Sequence, residues 1–594
     1  MTRALVFLLI NSIKNGGITV TKPYIVPVFL LEKSSISSEL IDIAEKINST
    51  AIEITESDIP LASRYHIKKF IEHRTSIQEK KDLKDFYLIP VGIDYEGNVS
   101  LSLFNSSKLI GKFSDGSNKT SLDPNILGMY LRLVNEIKES IDFIYIPREI
   151  DPILFTKLET KEIQVLMGKT LNETLSELVP QKQITDINRE LNKFINSLAV
   201  ELDVYSYRTP TDRQQMVKKN EVYNLLIQSF FSTRRLHKKF GDNWLEISML
   251  SSGEKQKAII DVAYGFLKNH RDSGSNLIIA IDEPESSLHM SACFEQFNAI
   301  YTISRACMQV LFTSHWYGFL PTLDSGSATI IGVKDDKSHV FEQLNLASYR
   351  EQIKQLRANT KGLLPHDIRL KSINDFVQSV ITSAMGDDPF NWIICEGSSE
   401  KIYLSAYLSD YIENRKLRIV PVGGAKEIKR LYNHIAVMYE EFQSEITGKI
   451  ILLSDTDKEL VSYEVGDFKN LYCRRMVNGS NGVTRLVKIQ ANPVSPATEI
   501  EDSLNGKVFF NTLKNDFMVE HSDLLGFLKD IVEAPTQLSS RYALDLRQSE
   551  WDKIELFFNR KNLKFKFAKA YVNNMNSESF ESPSWIKEIL KWLG

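Results

Sequence analysis

Three apolar runs in this chain end in acidic residues, the pattern by which a buried strand delivers carboxylates to a metal ion. One is Leu277-Ile-Ile-Ala-Ile-Asp282-Glu283, and another is Lys449-Ile-Ile-Leu-Leu-Ser-Asp455-Thr-Asp457. The third, Trp392-Ile-Ile-Cys-Glu396-Gly397-Ser-Ser-Glu400, puts a second carboxylate one helical turn after the first, so Glu396 and Glu400 can share a side. Asp455 and Asp457, two apart at a strand end, share a side as well. Four carboxylates at adjacent strand ends cannot all stay ionised without cations, and hard oxygen donors suit Mg²⁺ or Mn²⁺. Singly, each piece has a plainer reading, because Glu-x-x-x-Glu pairs are common on solvated helix faces and Asp-x-Asp is common in turns. Their arrival in order, with Gly423-Gly424 after the intervening strand Leu417 to Val422, favours a metal site.

Asp282 and Glu283 belong to a different pattern. Leu250-Ser251-Ser252-Gly253-Glu254-Lys255-Gln256 opens a helix whose free N–H groups and positive dipole end suit phosphate, with Ser251 offering a hydroxyl and Gly253 a close backbone approach. Alone, that run reads as a helix cap. About thirty residues on, Asp282 is placed to hold Mg²⁺ through water and Glu283 to orient an attacking water. His315, closing Leu311-Phe-Thr-Ser-His315, is placed to sense a terminal phosphate of ATP. The phosphate-cradling G-x-x-x-x-G-K-[ST] loop is missing from the sequence. The best position for one is Leu31 to Ser38, after the strand Tyr24 to Leu30 and before a helix from Glu39 to Ile47. There Ser38 takes the place of the Mg²⁺-binding hydroxyl and Lys33 adds positive charge, but Leu31 and Ile36 replace both glycines and Ser37 replaces the Lys. Side chains at the glycine positions oppose a tight backbone nest, so a degenerate site with weak or no ATP hydrolysis is expected.

The elements that must position these residues read as α/β. Residues 1 to about 150 carry short strands, among them an apolar first strand Ala4 to Ile10, Tyr87 to Gly92, and Val99 to Phe104 after a turn at Tyr95. A helix-rich insertion is expected over about 127–235. In it Ile187, Leu191, Phe194, Ile195 and Leu198 recur at helical spacing, a face that packs on its own domain or meets a second subunit. From Ile247 helices and apolar strands alternate, as in a mostly parallel sheet, and they do so again from Trp392 to Asp467. This predicts a first α/β domain over 1–345 with the helical insertion, a charged helical connector over 346–390 and a second α/β domain over 391–594, which the resemblance given below implies are ATPase-like and nuclease domains.

The 594 residues exceed one core. With 43% hydrophobic and 25% charged residues and a net charge of −4, the composition is that of an ordinary globular protein, so DNA contact must come from local basic patches. Four cysteines without C-x-x-C spacing argue against zinc and suit a reducing compartment, and no run reaches the ~20 apolar residues of a membrane span. A cytoplasmic location, with no membrane partner, is the expectation.

In their order, the loop at Ser251, the acidic strand end at Asp282 and the His315 strand end resemble the ABC ATPase superfamily. The order of Glu396, Gly423-Gly424 and Asp455 resembles the Toprim domain. A chain joining the two is similar to the OLD (overcoming lysogenization defect) family of nucleases, some of which are antiphage effectors; the likeness is strongest over about 247–460. The resemblance implies a further metal carboxylate in Glu499-Ile-Glu501-Asp502-Ser-Leu504, here Glu501, with Glu499 and Asp502 as substitutes. It also implies a late lysine that stabilises charge on the scissile phosphate, Lys564 in the best register and Lys566 its rival. The implied reaction is two-metal phosphodiester hydrolysis of DNA. The implied partners are a second or further copies, as homodimer or homotetramer, and, in retron systems, a reverse transcriptase with its small DNA–RNA product. The competing reading is a non-catalytic ABC-type scaffold that binds DNA. Strand passage through a Tyr nucleophile is disfavoured because no separate DNA-gate domain is recognisable.

Overall fold

In the computed structural model of the chain all residues are described except 1–2, 16–17, 59–63, 81–82, 95, 101–105, 114–122, 150, 152–154, 159, 168, 204, 210–215, 270–274, 287, 334–338, 350–351, 354–365, 457–460, 492–496, 532–537, 561 and 578–580. The fold is mixed α/β with parallel sheets, and it divides into two compact units, Met1–Ser287 with Ala299–Ser314 and Leu288–Asn298 with His315–Gly594.

The first unit begins with an antiparallel sheet of β1 (Arg3–Asn15), β2 (Ile18–Glu32), β3 (Phe86–Pro90), β4 (Gly92–Asp94) and β5 (Val99–Ser100), in which β2 pairs with β1, β3 and β4. Gly97, at φ +84°, turns β4 into β5, and the Asp94 carboxylate accepts the N–H groups of Glu96 and Asn98. Val28, Leu30, Leu88 and Ile89 meet Ile43 and Ile47 of the helix Ile41–Glu53 and Leu133 and Ile137 of the helix Pro124–Glu139 in one core. Then comes β6 (Asp142–Ile146), followed by the hairpin β7 (His237–Phe240) and β8 (Asn243–Glu246). A second sheet has the order β10 (Gln309–Phe312), β9 (Leu277–Ile281), β6, all parallel. Ile279 and Ile281 of β9 are covered by Ile259 and Ile260 of the helix Ser252–Asn269 and by Ile300 and Ile303 of the helix Met290–Ala306.

Within the helix-rich stretch 127–235, β6 is a strand and completes the sheet of β9. The helix Gln181–Glu201 buries only Ile184 and Asn188, while Ile187, Leu191 and Phe194 stand exposed, so that apolar stripe is not packed on its own domain.

The second unit contains the hairpin β11 (Ser327–Val333) and β12 (His339–Asn345) and a five-stranded sheet. The sheet's strands are β13 (Asn391–Cys395), β14 (Leu417–Pro421), β15 (Ile450–Ser454), β16 (Leu471–Asn478) and β17 (Thr484–Lys488), ordered β14-β13-β15-β16-β17. Every pair is parallel except β16 with β17. Ile393, Ile451 and Leu453 are buried within this sheet, which explains why β13 and β15 read as unbroken apolar runs.

The expected boundary near 345 and the connector over 346–390 give way to a different division. The helix His366–Ser383 buries Phe376, Val377, Val380 and Ile381, so it belongs to the core of the second unit. Phe294, Phe297, Trp316, Phe319, Phe390 and Trp392 pack ring to ring, which ties residues 288–298 and the segment from His315 into the second unit.

Candidate functional site

β13 ends at Cys395, and Gly397 leads into the helix Ser398–Tyr407. Glu400, in the first turn, reaches back so that Oε2 accepts the Glu396 N–H at 2.8 Å and Oε1 the Gly397 N–H at 3.0 Å. Two orphan donors of the helix start are thereby satisfied, and the Glu396 backbone is fixed. The Glu396 carbonyl in turn accepts the N–H groups of Gly423 (2.7 Å) and Gly424 (3.1 Å), whose φ values of +92° and +114° only glycine adopts easily. The glycine pair therefore clamps the end of β13 from the end of β14. Lys401, the next residue of the helix, is buried with Nζ 2.7 Å from Asp324 Oδ1.

Asp455 follows β15, the neighbour of β13, and its N–H donates to Glu396 Oε1 at 2.9 Å. One residue on, Thr456 exchanges both backbone hydrogen bonds with Thr498, each 2.9 Å, and its hydroxyl donates to the Met476 carbonyl at 2.6 Å. That two-residue bridge brings the following turn, Ile500–Ser503, beside Asp455, and Glu501 lies buried on it. Lys564, on the helix Leu563–Ser577, sits 2.7 Å from Glu499 Oε2 and 3.7 Å from Glu501 Oε2. Glu396, Glu400, Asp455, Glu501 and Lys564 are thus gathered at the carboxyl ends of adjacent parallel strands. Asp457 lies outside the described residues. Lys566 points to solvent, which leaves Lys564 as the lysine of the group.

The electrostatics follow from crowding acids away from water. Burial raises the Asp455 pKa well above the carboxylate range, and Glu400, Glu396, Glu501 and Glu499 add to it. Glu400 is raised by burial and by Glu396, against the two backbone N–H groups that favour its charge. Glu501 is raised by burial, with Lys564 opposing. Asp502 is pushed up to about 6, chiefly by burial. Burial pulls the Lys564 ammonium down, but Glu501 and Glu499 outweigh it and hold the pKa above the ordinary lysine value.

Among the described residues no three acidic, histidine or cysteine side chains converge closely enough to enclose an ion as they stand, and both Glu400 oxygens are engaged by backbone. Yet Asp455 Oδ1 and Glu501 Oε1 are both buried without a hydrogen-bond partner. Two desolvated, mutually repelling carboxylates with unmatched oxygens form a hard donor set that fits a divalent cation.

The nucleotide position differs from expectation. β2, the strand before Leu31 to Ser38, pairs within the antiparallel sheet and is not a hydrogen-bonded neighbour of β9, although Phe29 packs against Ile278. Lys33 Nζ stands over the Tyr87 ring at 5.1 Å, and Ser38 is an exposed residue of the turn that leads into the helix Ile41–Glu53. The Ser37 N–H and hydroxyl both donate to the Glu136 carboxylate, at 2.7 and 2.8 Å. A carboxylate from ninety-nine residues away thus takes both Ser37 donors. Leu31 and Ile36, at the two glycine positions, are only 2% and 9% exposed and belong to the core.

Ser251 serves the plainer role: its N–H and hydroxyl donate to Glu254 Oε2, and Gly253 is buried in the helix that follows. Asp282 Oδ1 accepts the Thr313 hydroxyl, the Glu283 N–H donates back to Thr313 Oγ1 at 3.1 Å, and Glu283 Oε2 is 3.0 Å from Arg148 Nη1. Glu283 has φ +41°, a left-handed conformation unusual for a side chain of its length. His315 is an exposed residue and the first of the second unit's main segment. Glu136, Arg148 and Thr313 were missed in the sequence because each acts through a contact with no local spacing signal. A scan against protein-family models finds no match, and a search of curated proteins finds none either.

Proposed function

We propose that this chain is a metal-dependent DNA endonuclease whose Toprim-like second unit hydrolyses phosphodiesters and whose ABC-type first unit has lost nucleotide turnover. The observation that carries the reading is the pair of buried, unpartnered oxygens, Asp455 Oδ1 and Glu501 Oε1, set among carboxylates at adjacent strand ends with one lysine beside them. Glu396, Asp455 and Glu501 would hold Mg²⁺ or Mn²⁺, with Asp457 and Glu400 as the remaining candidates. Bound cations of this kind activate water and neutralise charge on a leaving oxygen. The chain's own contributions are fixed orientation and charge: the Glu396 backbone is locked by Glu400 and the glycine pair, and Lys564 offers a cation to a phosphate oxygen. Glu136 in the phosphate position supports the loss of ATP turnover in the first unit.

The scaffold reading has one observation in its favour, the engagement of both Glu400 oxygens as a helix cap. Supercoiled plasmid incubated with Mg²⁺ or Mn²⁺, with and without ATP, decides between them. Cleavage by the wild type that Asp455→Ala abolishes and ATP leaves unchanged is the expected result. Cleavage that survives Asp455→Ala overturns the assignment, and plasmid left intact by the wild type alone, and also with a reverse transcriptase and its DNA–RNA product, favours the scaffold. An antiphage role, a cytoplasmic location and assembly as a dimer or tetramer belong to the same proposal. Among the described residues no helix is long and apolar enough to cross a membrane.

A further inference from the structure

Glu400, Tyr403 and Tyr407 recur on one face of the helix Ser398–Tyr407, so the helix that caps the Glu396 turn also carries a stripe of phenols. Glu400 and Tyr403 are buried, Tyr403 at 0% exposure, and Tyr407 is partly buried beside them. Tyr571 packs edge-on to Tyr403, with ring centroids 5.4 Å apart and planes at 89°, and its hydroxyl lies 2.6 Å from that of Tyr407. The same Tyr571 hydroxyl accepts the Asn505 N–H at 3.1 Å. Asn505 follows Glu501 by four residues and caps the helix Gly506–Thr512, while Tyr571 follows Lys564 by seven on one helix. Three phenols therefore join the segments that carry Glu400, Glu501 and Lys564.

Tyr571 and Tyr407 have their hydroxyls satisfied. The Tyr403 hydroxyl does not: it is buried without a partner of ordinary hydrogen-bond geometry, as is Glu501 Oε1. The two groups are near enough that the Glu501 charge, after burial, contributes to raising the phenol's pKa. A Phe at 403 would keep the ring packing and avoid burying an unmatched hydroxyl, so the hydroxyl needs an explanation of its own.

We infer that Tyr403 is a positioning residue for Glu501: its hydroxyl, held in place by the Tyr571–Tyr407 pair, donates to the Glu501 carboxylate and orients it for metal binding. The inference rests on the metal-site reading above. It is the outer partner that a ligating carboxylate in a dry site requires, and loss of such a partner weakens metal binding by roughly 10–100-fold.

The test is Mn²⁺ titration calorimetry on the full chain for the wild type, Tyr403→Phe, Glu501→Gln and the double variant, with thermal melts of each in EDTA. Tyr403→Phe is expected to weaken Mn²⁺ binding by roughly 10–100-fold without lowering the metal-free melting temperature. In the Glu501→Gln background the same change should have no further effect, because a residue that acts through Glu501 has nothing left to orient. Wild-type and Tyr403→Phe chains that bind Mn²⁺ alike overturn the inference alone, and so does equal weakening in both backgrounds, which marks a general packing role. A wild type that takes up no Mn²⁺ sinks the metal site and the inference with it.

Discussion

Asp455→Asn should make the metal-free protein more stable while abolishing cleavage. The Asp455 N–H touches Glu396 Oε1 at 2.9 Å. That contact sets the two carboxylates on the order of 6 Å apart, where two unit charges repel by about 3 kcal/mol at an effective dielectric of ~20. Because burial and the neighbouring acids raise the Asp455 pKa, protonation relieves part of this repulsion. The net gain on neutralising the side chain is then about 1–3 kcal/mol, or roughly 2–10 °C in melting temperature for a unit of this size.

The sign of the pH dependence is fixed by the direction of the shift. A carboxyl whose pKa is higher in the folded than in the unfolded chain holds its proton more tightly when folded. Its penalty is absent below the unfolded value of about 4 and grows as pH rises through the raised folded value. The variant's advantage should be largest near pH 8 and shrink toward pH 4. Thermal melts in EDTA across that range measure it. With Mn²⁺ at a thousand times its dissociation constant, the wild type should gain about 4.1 kcal/mol and overtake the variant, which lacks the carboxylate charge. An Asp455→Asn chain less stable than wild type at pH 8 in EDTA, or an advantage that widens on acidification, would refute the reasoning.

Lys564→Met removes the cation beside Glu499 and Glu501 and should lower plasmid cleavage by about 10²–10³-fold, while Mn²⁺ affinity measured by calorimetry holds or tightens because a competing charge has gone. Glu136→Ala strips the Ser37 N–H and hydroxyl of their acceptor and should cost about 0.5–2 kcal/mol in urea unfolding, the range for a lost helix cap. No saturable ATP hydrolysis is expected of the wild type, and robust Mg-ATP turnover that Glu283→Gln abolishes would count against the degenerate site. Gly318→Ala would set a Cβ 2.2 Å from Ser379 Oγ and 2.6 Å from the Asp375 carbonyl, so denaturant melts should show a loss of about 1–3 kcal/mol.

The second unit's sheet was legible because parallel strands buried on both faces leave an unbroken apolar signature, and because the residues ending them are chemically marked. Gly423-Gly424, both at positive φ, announce a turn that glycine makes well, and the strand–helix alternation around it follows. What joins Glu501 to Asp455 was not legible in the same way. Thr456 and Thr498 carry no spacing signal, and their mutual backbone bonds, like the approach of Lys564, arise only once the sheet exists. Glu501 and Lys564 came from family likeness, and their proximity here is a fact of long-range packing. The division of the chain was hidden for a related reason. Charged residues over 346–390 suggest a connector, yet the helix His366–Ser383 shows an apolar face to Trp392, and ring packing outweighs the charge on its other side.

On the proposed reading, the turn after β2 is a nucleotide site lost without loss of fold. A phosphate cradle needs bare backbone at two positions so that successive N–H groups converge on one anion. Leu31 and Ile36 instead anchor the turn in the core of the first unit, so the same positions now contribute apolar burial. The donors left at the turn are exposed, and a carboxylate accepts them in place of water. Glu136 supplies that acceptor from the helix Pro124–Glu139, with Arg132 of the same helix 2.6 Å from Glu39 to fix the approach. Once a carboxylate is built in, a nucleotide phosphate must displace it and meet its negative charge, so substituting glycines at 31 and 36 alone would not restore binding. Restoring it requires removing Glu136 as well, and the stability that Leu31, Ile36 and Glu136 now contribute opposes all three changes together.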